Sequence, residues 1–194
     1  MEKRMGEKPF VGVLCDISSR MREKYVEAAR EVGRQIGTAG YGVAYNAGGG
    51  PMGNALASTA MHAGSPVIGV IPRQAMNQLL EERSMGLPIG TLHVVDTPAE
   101  NARVLDTFAS VYVVLPGGIA IVESILNIMR QGVPRPLILV DIGHFFSGLT
   151  SQLERCISSG FLERPAVNML KMARDVDEIS EILERELHLI KPAL

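Results

Sequence analysis

The chain has 194 residues, 46% of them hydrophobic and 21% charged, with a net charge of −2. That length fits one domain with a real core, and that composition excludes disorder. A near-neutral balance without a basic block gives no basis for nucleic acid or an anionic membrane as partner.

Read in chain order, apolar runs alternate with helical patterns. Phe10–Cys15 is a short continuous apolar run, as in a strand buried on both faces. Tyr25, Ala28, Ala29, Val32 and Ile36 then recur at helical spacing until Gly40. Tyr41–Asn46 reads as a second strand, AGGGPMG as a loop, and Asn54–Ala63 as a helix whose alanine-rich face permits close packing on a sheet. Pro66–Pro72 is a third strand, followed by a less regular segment with a short helix and a loop. Thr91–Asp96 is a fourth strand, and Thr97 with Pro98 predicts a capped helix to about Phe108. Val111–Pro116, a helix over Ala120–Arg130, Pro136–Asp141 and a helix over Phe145–Ser159 follow. VNMLKMA is a further candidate strand, and Asp175–His188 a last helix.

Branched apolar strands separated by long helical segments imply a parallel sheet covered on both faces. The expected fold is α/β, a single doubly wound, Rossmann-like domain over residues 1–194. Its ligand would lie beyond the carboxyl ends of the strands. Residues 16–20, 46–53, 97–103 and 116–123 fall there, and every unusual feature of the sequence is among them.

Consecutive glycines at Gly48, Gly49 and Gly50 let backbone N–H groups approach an anion at a helix start; a flexible strand-to-helix turn is the alternative. The run is neither a dinucleotide fingerprint nor a Walker loop. Pro116, Gly117 and Gly118 open another helix, where N–H groups up to Ile119, Ala120 and Ile121 could hold a phosphate without any side chain. Glu123 is either a dipole-compensating acid or a carboxylate that stabilises positive charge on a sugar or positions a water. Arg20, Arg73 and Arg103 are cations near the same edge, Arg103 the best placed.

Cys15 and Cys156 read as separate reduced thiols, and no Cys/His spacing suggests a metal. No segment reads as a secretory signal or a membrane span. A cytoplasmic protein without metal or cofactor is expected.

Together the loops resemble the Lonely Guy family, nucleoside 5′-monophosphate phosphoribohydrolases often misnamed lysine decarboxylases. The resemblance runs from Val11 to about Leu162. Asp16, Ile17 and Ser18 stand at the family's Gly-Ser-Ser turn, so Ser18 matches. Tyr45, Gly48, Met52 and Gly53 match its Tyr-Gly-Gly-Gly…Leu-Met-Gly segment, in a loop one residue shorter. In PGGIAIVES, Pro116, Gly117, Gly118 and Glu123 match the signature; Ala120, Ile121 and Ser124 replace its glycine, threonine and second glutamate. Asn101 stands at the motif arginine, with Arg103 two residues on.

The resemblance implies binding of a phosphorylated small molecule, a nucleoside monophosphate, through Ser18, Gly48, Gly49, Gly50, Met52, Gly117, Gly118, Ala120 and Ile121. It implies N-glycosidic cleavage by Glu123 with Arg103 or Asn101. The alternative is a non-catalytic binder similar to molybdenum cofactor carriers; a third reading is a pseudoenzyme subunit. The apolar helix 120–130 suits a homodimer interface, and a buried core helix explains it equally well. PLP-dependent decarboxylation is rejected: Lys3, Lys8, Lys24, Lys171 and Lys191 offer no candidate Schiff-base lysine at a strand end.

Overall fold

Seven apolar segments pair into one all-parallel sheet with helices on both faces. The computed structural model describes residues 9–48, 50–81, 90–131 and 135–190. The strands are β1 (Phe10–Leu14), β2 (Gly42–Asn46), β3 (Val67–Pro72), β4 (Thr91–Val95), β5 (Ala109–Val114), β6 (Leu137–Val140) and β7 (Leu170–Ala173). Their order is β4-β3-β2-β1-β5-β6-β7. The helices are α1 (Glu23–Thr38), α2 (Pro51–His62), α3 (Arg73–Glu81), α4 (Pro98–Phe108), α5 (Ile119–Arg130), α6 (Ser147–Ser158) and α7 (Ile179–Ile190).

The chain steps outward from β1 to β4, then α4 carries it back across the sheet to β5, from which it steps the other way. Right-handed crossovers in opposite directions put their helices on opposite faces. One core joins Val32 and Ile36 of α1, Leu56 of α2 and Leu183 of α7 to Val11 and Val43. The other joins Leu105 of α4, Ile125 of α5 and Phe146 to Leu14, Tyr112 and Val114. The carboxyl ends of β1 and β5 lie side by side where the winding reverses, the position at which such sheets hold ligands.

The Thr97 hydroxyl accepts the Glu100 N–H at 3.1 Å, so α4 starts where its cap and proline predict. The second helix begins at Pro51, three residues before the predicted Asn54. Proline's fixed φ suits the first helical position, and Gly50 is its N-cap. Strand β5 begins at Ala109 and ends at Val114, so Pro116 belongs to the following turn. A short 3₁₀ turn, Val176–Glu178, precedes α7. The loop expected after α3 falls on residues 82–89, outside the described residues.

The small residues of α2 share the core over β2 and β3, as their alanine-rich face permits, and also pack closely against α1. A Cβ on Gly33 would lie 2.2 Å from the Leu56 carbonyl oxygen and 2.4 Å from Thr59 Oγ1. Gly33→Ala must therefore part the two helices. The expected loss is about 1–3 kcal/mol, read as a fall in Tm of roughly 2–4 °C per kcal/mol. An unchanged melting curve would show that the helices part at no cost.

Candidate functional site

Three loops meet at the β1–β5 edge. Asn46, the last residue of β2, donates from Nδ2 to the Cys15 carbonyl at 3.0 Å and accepts the Cys15 N–H at 3.3 Å. One side-chain amide thus extends the β1–β2 pairing past the strand ends. Next to it, Ile17 lies directly over the glycine run. A Cβ on Gly50 would stand 2.5 Å from Ile17 Cα, and one on Gly48 2.4 Å from Ile17 Cγ2. Close backbone approach, absent from the sequence reading, thus accounts for Gly50, and the Ile17 side chain crowds Gly48. Gly50→Ala is expected to displace the Ile17 loop and cost about 1–3 kcal/mol, checked by denaturant titration.

The second turn is Pro116–Gly118. Gly118 is the N-cap of α5, and its N–H donates to Asp16 Oδ2 at 2.7 Å. The other carboxylate oxygen, Asp16 Oδ1, accepts the Ser18 N–H at 2.8 Å. The N–H groups of Ile121 and Val122 turn back to the Gly118 carbonyl at 3.1 and 3.2 Å. Those of Ile119 and Ala120 are first-turn groups without an intrahelical acceptor. One N–H expected to face a phosphate is therefore held by a carboxylate of the same chain, and another closes the helix turn.

Two cavities flank this turn. The larger, about 360 Å³, lies between α4 and α5 beyond β1, β3 and β5, and its lining is mostly apolar. Ile17, Leu105, Ile121 and Ile128 give it apolar walls; Asn46, Asn101, Ser124 and Asn127 give it polar points. Asn101 is buried and donates from Nδ2 to the Val70 carbonyl at 3.1 Å, which also accepts the Ala47 N–H at 2.8 Å. At another wall the Tyr112 hydroxyl donates to Asp106 Oδ1 at 3.1 Å, and Arg135 pairs with the same oxygen. Burial, then the Asp106 charge, push the Tyr112 phenol above its ordinary range. Burial, reinforced by Asp16, pushes the Cys15 thiol up to about 12, so it is no thiolate nucleophile at neutral pH.

The smaller cavity, about 300 Å³, is lined by Ser18, Met21, Tyr25, Gly117, Gly118 and Phe145, with Pro116 and Asp16. Tyr25 and Phe145 meet edge to face, 5.8 Å between centroids.

Of the predicted site residues, Gly48, Asn101, Ala120 and Ile121 line the larger cavity, and Ser18, Gly117 and Gly118 the smaller. Met52 is wholly buried in the core, Gly50 packs under Ile17, and Gly49 lies outside the described residues. Glu123 and Arg103 are exposed and line neither cavity. At 100° per residue Glu123 stands about 40° of helix rotation beyond Asn127, at the cavity rim, and Arg103 about 60° beyond Asp106. Arg73 pairs with Asp96 at 2.9 Å, both exposed. The apolar residues of α5 divide: Ile121, Ile125 and Met129 are buried, while Ile119 and Leu126 are 89% and 43% exposed.

Sequence reasoning did not single out Asp16, Asn46, Asp106, Tyr112 or Arg135 as site residues. Asp16 carried a signal, a carboxylate at a strand end where the family has glycine. Asp106, Tyr112 and Arg135 carried none, since a tyrosine inside an apolar strand reads as core. No group of three or more metal-ligating side chains occurs among the described residues. No described helix is long and apolar enough to cross a membrane.

The profile of a family described as possible lysine decarboxylase matches residues 52–183. A cytokinin riboside 5′-monophosphate phosphoribohydrolase of Arabidopsis thaliana is 29% identical over 180 residues, covering 90% of this chain and 76% of that protein. Its counterpart in Mycobacterium tuberculosis is 26% identical over 172 residues, covering 87% and 89%. Among solved structures, the Moco carrier protein of Chlamydomonas reinhardtii superposes with a TM-score of 0.72 at 17% identity, over 95% of this chain and 100% of that one. At that identity the likeness is one of fold. The profile covers well over half the chain, and the relatives carry the names the sequence motifs imply: the chain belongs to the possible lysine decarboxylase family, the Lonely Guy family.

Proposed function

We propose that this chain is a nucleotide-binding protein that takes a nucleoside 5′-monophosphate at the β1–β5 edge and cleaves its N-glycosidic bond, with a substrate or rate altered from its relatives. The observation that carries the reading is similarity to phosphoribohydrolases over 90% of the chain, joined to a cavity at the point where the winding reverses. Water adds to the anomeric carbon, and the base leaves with a proton. The cationic sugar of the transition state is stabilised by the Glu123 carboxylate from the cavity rim, a role argued by analogy with O-glycosidases. Asn101, and Arg103 if its long side chain folds inward, would hold substrate oxygens.

One observation favours a second reading, a non-catalytic carrier of a phosphorylated ligand. The neutral Asn101 occupies the cavity wall at the motif-arginine position, and Arg103 is exposed and lines neither cavity. Incubating the pure protein with a panel of nucleoside monophosphates and assaying free base and ribose 5-phosphate decides: product supports hydrolysis, and tight binding without product supports the carrier.

The working unit is proposed to be a cytoplasmic homodimer of single-domain subunits, joined through α5. Its support is the second apolar stripe of that helix, Ile119 and Leu126, left outside the core. Sedimentation at micromolar concentration is expected to give a dimer, and Leu126→Glu to shift it to monomer.

A further inference from the structure

Among the described residues, Asp16 alone lines both cavities. It stands between the apolar chamber of α4 and α5 and the cleft over Pro116–Gly118. Its carboxylate is fixed at both oxygens, by the Gly118 N–H at 2.7 Å and the Ser18 N–H at 2.8 Å. It also packs on the turn itself: a Cβ on Gly117 would be 3.1 Å from Asp16 Oδ2, and one on Gly118 3.3 Å. Among the described residues no lysine, arginine or histidine forms an ion pair with Asp16.

We propose that Asp16 is a specificity-determining residue that competes with the ligand's phosphate for the Pro116–Gly118 turn. The inference rests on the nucleotide reading above and adds a discriminating element to it. The Gly118 N–H can serve one oxyanion at a time. A phosphate seated there meets a carboxylate within hydrogen-bond reach, with no protein cation paired to offset the pair of charges. To bind, the phosphate must turn Asp16 out of the turn, and the two cavities then become continuous, with room for a ring on one side and a phosphate on the other. The protein thereby discriminates against the phosphate. The full affinity of the turn is expressed when Asp16 is replaced by an uncharged or smaller residue.

Asp16 is half-buried, so solvent screens part of the repulsion, and the expected penalty is about ten- to a hundredfold in affinity.

The test is calorimetric titration of the wild-type protein, Asp16→Asn and Asp16→Gly with AMP, GMP, CMP and UMP and with the four matching nucleosides. Asn keeps the shape and removes the charge; Gly removes the side chain. The expected result is a monophosphate affinity at least about tenfold higher in both variants, with nucleoside affinity changed by less than about threefold. Equal monophosphate affinity in all three proteins overturns the competition and leaves the nucleotide reading standing. Parallel gains for nucleosides and monophosphates overturn it too, because the variants would then have reshaped the cavity generally. No binding of any monophosphate to any of the three overturns both the competition and the nucleotide reading.

Discussion

Glu123→Gln is expected to lower kcat on the best nucleoside monophosphate by about 10²–10³, with KM within a few-fold of wild type. The amide preserves the side chain's shape and loses only its charge. The ground-state ribose is neutral and gains little from a carboxylate, whereas the oxocarbenium-like transition state carries the positive charge that the proposed role of Glu123 is to stabilise. Glu123 stands at the rim of the larger cavity, one helix position from Ser124, which lines it. Its reach into the cavity is part of the proposal, and the variant tests it. Arg103→Ala serves as a comparison. Arg103 is farther round its helix than Glu123, so its loss is expected to raise KM more than it lowers kcat. Full activity in Glu123→Gln would remove the carboxylate from the chemistry, whatever the nucleotide panel shows.

The sheet was legible in the sequence because each strand is a short run of Val, Ile and Leu bounded by turn residues, and the helices carry a clear apolar period. Thr97-Pro98 located α4 to the residue, since a hydroxyl cap and a proline at the first helical position act locally. What was not legible depends on contacts between distant residues. The glycine run Gly48–Gly50 has the composition of an anion cradle, yet its tightness answers to Ile17, some thirty residues earlier. Pro116–Gly118 was readable as a turn with outward N–H groups, but only the fold shows that Asp16 already holds one of them. The Asp106–Tyr112–Arg135 cluster joins a helix, a strand and a loop, and no single segment of sequence signals it.

The stability of the fold is expected to fall steeply on the alkaline side, from about pH 9 upward. Three buried acids carry the effect. Burial pushes the Cys15 thiol from 9.0 to about 12. Burial also raises the phenols of Tyr45 and Tyr112 above 10.0, and the Tyr45 hydroxyl finds no hydrogen-bond partner among the described residues. In each case the folded state holds a proton that the unfolded chain releases. The stability tied to that proton is therefore fully present below the unfolded value, near 9 for the thiol and near 10 for the phenols, and is lost as pH rises towards the folded one. Where one such group holds its proton only in the folded state, unfolding free energy drops by about 1.4 kcal/mol per pH unit. Melting temperatures measured from pH 8 to pH 11 should stay level at first and bend downward near pH 9. In Cys15→Ala the thiol is gone, so the bend should move up by about one pH unit, to where the tyrosines begin to titrate in the unfolded chain. The small cavity left by the lost sulfur lowers the whole curve without moving the bend, which separates packing from titration. A curve flat to pH 11, or a bend at the same pH in both proteins, would show that these groups are not protected from water as the packing requires.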